Sequence, residues 1–358
     1  MLRVLVFGIL LKGAIAQSTQ VNEVKEIIES QSGKIRFECL TSQIKSPKVA
    51  AKARHAVKLA AEVLENVIAL QFQIVIKLDY IKQCAGKRRC IPRFVGNAVP
   101  VYQRSDYNSK LSQYPQALLK QTKNYLFSSG TYGGHDMSIE MALDTDFYFP
   151  SDYPVNITNQ QVDFMPVLIH EIIHGLGMQS RLKLHDMVFE FNDFYNIYIS
   201  LYPAPFDYYI YDIKTNQSVI ATLTALVPYT APNRRQRFQD LYDAFHGGNR
   251  LYFHSIRGKN ISLYSEKILA HVSEEYSMTK DDLMLHNTAK GYCITDYILY
   301  YTNWHEAPFG PAVLDILASI GYQLKVPDPK RSLQYYYQYK QIHNGIEPPT
   351  LPAFIPSQ

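Results

Sequence analysis

Beyond the first sixteen residues no stretch of this chain is long and apolar enough to cross a bilayer. The proline-rich, polar tail from Glu347 to Gln358 also lacks the hydrophobic end of a lipid-anchor signal. No stable membrane anchor is therefore expected. A net charge of +4 over 358 residues is too small to argue for nucleic acid. No internal repeat is present, which excludes a solenoid. Cysteine is scarce, with Cys39, Cys84, Cys90 and Cys293 alone and no C-x-x-C pair, so disulfides are expected ahead of a structural zinc site. A hydrophobic content of 47% excludes general disorder, and the length suits one large or two modest domains.

What is present points outward from the cell. Arg3, the apolar run Val4 to Leu11 and then Ala14-Ile15-Ala16 read as a signal peptide (1–16) cleaved before Gln17, with Lys12 an oddity inside it. Sequons at Asn156, Asn216 and Asn260 agree with a secreted, extracellular glycoprotein, although each triplet is individually a weak signal. Four cysteines allow three pairings. The favoured one closes a small loop from Cys84 to Cys90 and leaves Cys39 with Cys293; the rival role for Cys39 is an inhibitory thiolate in a pro-segment.

One segment carries chemistry. In His170-Glu171-Ile172-Ile173-His174 the two histidines lie four apart, so on a helix both rings reach one Zn²⁺, and the carboxylate between them can take a proton from a metal-bound water. The helix has an N-cap in Asp163, a first-turn proline in Pro166 and a stop in Gly175 and Gly177. The plainer reading is a chance pattern on a core helix. Against it, Leu168, Ile169, Ile172 and Ile173 make the helix apolar nearly all round, and three ionisable side chains buried there need a shared partner.

Around this helix the pattern is α+β. Ser46 to Ala69 has apolar positions at helical spacing, Phe72 to Tyr80 alternates as a half-buried strand, and Ser138 to Asp144 alternates again. This predicts a sheet with the metal helix beneath it. The 28 tyrosines, clustered at Tyr208-Tyr209-Ile210-Tyr211 and Tyr335 to Tyr337, read as exposed aromatics before any binding surface. Arg234-Arg235-Gln236-Arg237 and Lys87-Arg88-Arg89 read as solvated charge.

A third ligand is needed. Just after the helix, Ser180 offers only a hydroxyl, a poor neutral zinc ligand, and the nearest replacements are His185, Asp186 and Glu190. Further on come Ala270-His271-Val272, then Asp281-Asp282-Leu283-Met284, then Gly310-Pro311 through Ile320-Gly321-Tyr322. In this order the motifs resemble the leishmanolysin-like metzincin metalloproteases and their secreted relatives, from about Ala50 to Leu324. The resemblance implies a zincin-like twisted sheet over a buried zinc helix, with His170, His174 and His271 as ligands, Glu171 as general base and Met284 beneath the metal. It divides the chain into an N-terminal or pro-segment (17–45), a zinc-helix subdomain (46–180), an insertion (181–270), a C-terminal subdomain with the third ligand (271–340) and a tail (341–358). His286 would come near enough to hold an oxyanion, the plainer reading being a loop histidine. His246, His254, His305 and His343 have no matching context.

The expected function is a zinc-dependent endopeptidase acting on protein or peptide substrates. The rivals are a secreted adhesin or binding module on the same scaffold, against which Glu171 argues because structural zinc needs no general base, and a zinc hydrolase of non-peptide amides or esters. Selectivity is not legible, because cleft residues cannot be named without a fold.

Overall fold

A computed structural model describes residues 25–84, 94–105, 112–122, 133–152, 156–182, 203–226, 236, 239–240, 243–245, 250–264, 269–286, 290–293 and 308–326. The main sheet is built from β1 (Glu26–Glu29), β2 (Ile35–Leu40), β3 (Ile74–Ile81), β4 (Gly96–Pro100) and, after the small antiparallel pair β5 (Tyr102–Ser105) and β6 (Ser112–Pro115), β7 (Met137–Ala142). Its spatial order is β1-β2-β3-β7-β4, parallel through β2, β3 and β7 and antiparallel at both edges. Strict alternation decides which side is covered. Ile35, Phe37 and Cys39, then Ile74, Ile76, Leu78 and Tyr80, then Met137, Ile139 and Met141 are all buried, and the residues between them are polar or only partly covered.

Parallel neighbours need a crossover, and helix α1 (Pro47–Val67) supplies it between β2 and β3. Ser46 caps it by accepting from Val49 N–H, with Pro47 in the first turn. Its buried stripe runs through Ala53, Val57, Ala60 and Leu64. Helix α2 (Gln116–Gln121) and the short parallel pair β8 (Phe147–Tyr148) and β9 (Val162–Asp163) precede α3 (Phe164–Leu176), the helix with both motif histidines. Asp163 caps α3 as its sequence suggests, accepting from Met165 N–H at 3.0 Å. Gly177, at φ +121°, ends it. Gly175 is still helical rather than part of the stop: a Cβ there would overlap the Met137 sulfur, so glycine lets the helix lie directly on β7.

A second sheet follows, formed by β10 (Ile210–Asp212), β11 (Gln217–Ser218), β12 (Leu251–His254) and β13 (Asn260–Ser262) in the order β11-β10-β12-β13, all antiparallel, with α4 (Val219–Leu226) after β11. Its inner residues Ile210, Leu251, Phe253 and Ile261 belong to the same continuous apolar core as the main sheet. Helix α5 (Pro311–Ile320) closes the described chain. The architecture is α+β.

Two sequence expectations need correcting. Residues 26–40, set ahead of the domain as an N-terminal or pro-segment, form β1 and β2 of the main sheet, so the folded unit reaches back at least to Glu26. Cys39 and Cys293 are free buried thiols and not a disulfide, while Cys84 is disulfide-bonded to a partner outside the described residues. Cys39 is also no inhibitory thiolate: on the covered face of β2, burial pushes its thiol up to about 12. Alkylation without reductant should spare Cys39 in the folded protein and label it once denaturant is added. Peptide mapping that finds Cys39 unlabelled in the denatured, unreduced chain would restore the disulfide.

Candidate metal centre

On α3 the i, i+4 spacing places His170 and His174 with their Nε2 atoms 2.9 Å apart. His271, 97 residues after His174, brings its own Nε2 to 3.2 Å from that of His174. Among the described residues these three form a group whose ligand atoms all lie within 4.8 Å of one another.

The protons explain what such a group requires. His170 donates its Nδ1–H to the Leu283 carbonyl at 2.7 Å, and His174 donates its Nδ1–H to the Met178 carbonyl at 3.0 Å. A carbonyl oxygen only accepts, so each ring has its proton on Nδ1 and points a lone pair from Nε2 at its neighbour. Placing a proton between those two nitrogens would charge one ring. Burial opposes this, lowering His170 to about 4 and His174 to about 3, the latter further depressed by His170. His271 is strongly lowered as well, by burial first and then by His174, His170 and His286. Facing lone pairs without a proton call for a shared cation. Tetrahedral zinc at ~2.0–2.1 Å from each nitrogen spaces them on the order of 3.3 Å apart, close to the spacings found. The donor set fits zinc.

Backbone bonds from distant parts of the chain carry His271 to α3. Ser180 N–H donates to the Leu269 carbonyl at 2.8 Å, Tyr264 N–H to His271 at 3.0 Å, and Val272 N–H to Met284 at 3.0 Å. The short turn Asp282–Met284 therefore holds two of the three imidazoles at once, His170 through the Leu283 carbonyl and the His271 segment through the Met284 carbonyl. Met284 itself is fully buried in the core. Asp281 ties this turn to the end of the chain by accepting from Ala312 N–H at 2.8 Å and Val313 N–H at 3.1 Å, so it caps α5 from thirty residues away.

Glu171 sits against β4. Ala98 N–H donates to its carboxylate, a bond that favours the ionised form, but burial prevails and raises the group to about 8. A cation held by the imidazoles would pull it back down. Gly96 makes room for this side chain, since a Cβ there would stand 2.8 Å from Glu171 Cγ and 2.9 Å from its Oε1. A glycine inside a strand often marks such a close approach, and that was the one hint to it in the sequence.

The remaining site expectations resolve as follows. Ser180 is no ligand: its hydroxyl donates to Asp207 at 2.6 Å, and Asp207 also accepts from Arg181 N–H and Ala204 N–H, a buried carboxylate raised to about 6 by desolvation. His185, Asp186, Glu190, His246, His305 and His343 lie outside the described residues. His254 is hydrogen-bonded to Asn260 at 2.7 Å, as expected of a histidine without metal context. His286 is more than a remote loop residue, for its ring stacks on Tyr264 and meets the His271 ring edge-on at 5.3 Å between centroids. The carbonyls of Leu283 and Met178 and the caps from Asp281 are features that no residue-type pattern encodes.

Fold and site together define an α+β protein with a three-histidine cluster, His174 buried and the other two half-buried, suited to a metal ion. The chain belongs to the SPBPB7E8-like family, matching it over residues 12–230, a span that includes His170, Glu171 and His174 but stops before His271. A fission-yeast protein, Uncharacterized protein PB7E8.01 of Schizosaccharomyces pombe (strain 972 / ATCC 24843), is 30% identical over 128 residues. That match covers 33% of this chain and 22% of the yeast protein. No solved structure matches the chain.

Gly96→Ala should destabilise the fold by about 1–3 kcal/mol through overpacking against Glu171 and Val167. In a double-mutant cycle followed by denaturant unfolding, Glu171→Ala should relieve part of that loss. Strict additivity of the two changes would show that Gly96 does not set the position of Glu171.

Proposed function

We propose that this protein is a secreted zinc-dependent endopeptidase of the metzincin type. The observation that carries the reading is the convergence of three imidazole Nε2 atoms beside a buried glutamate that packs against an edge strand. Zinc bound by His170, His174 and His271 would supply Lewis-acid activation of a water and of the scissile carbonyl.

The chain's own groups account for the rest. The carbonyls of Leu283 and Met178 keep the two helix imidazoles in the tautomer that leaves Nε2 free. Glu171, ionised, accepts the proton of the attacking water and returns it to the leaving amine. Ala98 N–H holds that carboxylate in place. Strand β4 is the last strand of its sheet among the described residues, and an exposed edge is a template for an extended peptide. A substrate lying along it would pass next to Glu171. The turn through Met284 keeps His170 and the His271 segment in register.

Glu171→Gln should retain about one zinc per molecule and lose hydrolysis of denatured casein by on the order of 10²–10⁴-fold or more. His271→Ala should weaken zinc binding as severely as His170→Ala or His174→Ala. Unchanged cleavage by Glu171→Gln, with metal content measured alongside, would exclude the peptidase reading. Full zinc occupancy in His271→Ala would break up the ligand set.

A further inference from the structure

The second sheet has an outward face built from aromatics. Along β12, Leu251 and Phe253 point into the core, so Tyr252 and His254 share the opposite side, where Tyr211 of β10 packs against both at ring centroid distances of 5.8 and 5.6 Å. Two sequon asparagines flank this face. Asn216 lies in the tight turn between β10 and β11 at φ +51°, a left-handed conformation that asparagine tolerates better than most residues. Asn260 opens β13 directly opposite His254. Both are exposed.

The two amides are held alike. The Tyr252 hydroxyl donates to Asn216 Oδ1 at 2.6 Å, and the His254 Nδ1–H donates to Asn260 Oδ1 at 2.7 Å. In both, the oxygen is engaged from within the sheet, and neither Nδ2 has a hydrogen bond to another described residue. Nδ2 is the atom that N-glycosylation modifies. A sugar there leaves Oδ1 a carbonyl acceptor, so both bonds survive the modification and the fold need not adjust.

We propose that Asn216 and Asn260 carry N-linked glycans, one toward each edge of the second sheet. In the transfer, each Nδ2 attacks C1 of an oligosaccharide linked to a lipid diphosphate. The N–C1 bond forms, the C1–O bond breaks with its electron pair leaving on the lipid diphosphate, and the amide gives up one proton. Serine two residues on, Ser218 or Ser262, completes each acceptor triplet. The proposal requires entry into the secretory pathway and is independent of the hydrolytic reading.

The full chain, produced in a eukaryotic secretory host and isolated as soluble folded protein, is treated with a peptide amidase that removes N-glycans in heavy-oxygen water. Mass spectrometry of its peptides should find heavy aspartate at positions 216 and 260. Ser218→Ala and Ser262→Ala, which leave both asparagines and their hydrogen bonds in place, should each remove one glycan step in gel mobility. Any step lost with Asn156→Gln is a separate site. Unmodified asparagine at both positions in the folded protein, or glycans confined to aggregated material, would overturn the proposal.

Discussion

Two buried imidazoles face each other at 2.9 Å with no proton available to place between them. This constraint organises the site. Each ring has given its proton to a backbone carbonyl, and burial denies either ring a second one. Such a pair leaves two lone pairs facing each other, an arrangement that a shared cation would relieve. The third imidazole, the glutamate packed against the edge strand and the turn beneath α3 all take their positions relative to it.

Holding the pair requires rigidity on every side. Gly175 brings the helix onto β7, and Gly177 turns the chain so that Met178 can offer its carbonyl to His174. The Tyr322 hydroxyl donates to the Leu176 carbonyl at 3.0 Å, so the segment following α5 also satisfies the end of α3. Ser180 and Asp207 then fasten the chain leaving the helix to the part that returns. These are buried, charged or polar contacts whose loss would leave partners unsatisfied.

Local chemistry was readable where period and capping decide it. The cap at Asp163, the stripe along α1 and the alternation of β3 and β7 are each set within a few residues, and each formed as its pattern implies. The alternation Ile35-Arg36-Phe37-Glu38-Cys39 is equally clear, yet those residues had been placed ahead of the domain; the signal for β2 was present and went unused. His271 was legible only through the order of motifs around it, because the bonds that deliver it join Ser180 to Leu269 and Val272 to Met284 across long separations. The Cys39–Cys293 pairing failed for the same reason. Spacing along the chain does not tell that Cys39 faces the inside of a sheet.

The Asp281 cap on α5 has a consequence in time. Synthesis proceeds from the N-terminus, so α3, with two of the three imidazoles, emerges well before His271, and the turn that holds His271 is anchored only after Ala312 and Val313 have followed. A nascent chain therefore has two of the three imidazoles, and not the third, until its last third is made. The complete cluster is a late product of synthesis, assembled only after every described strand has already left the ribosome.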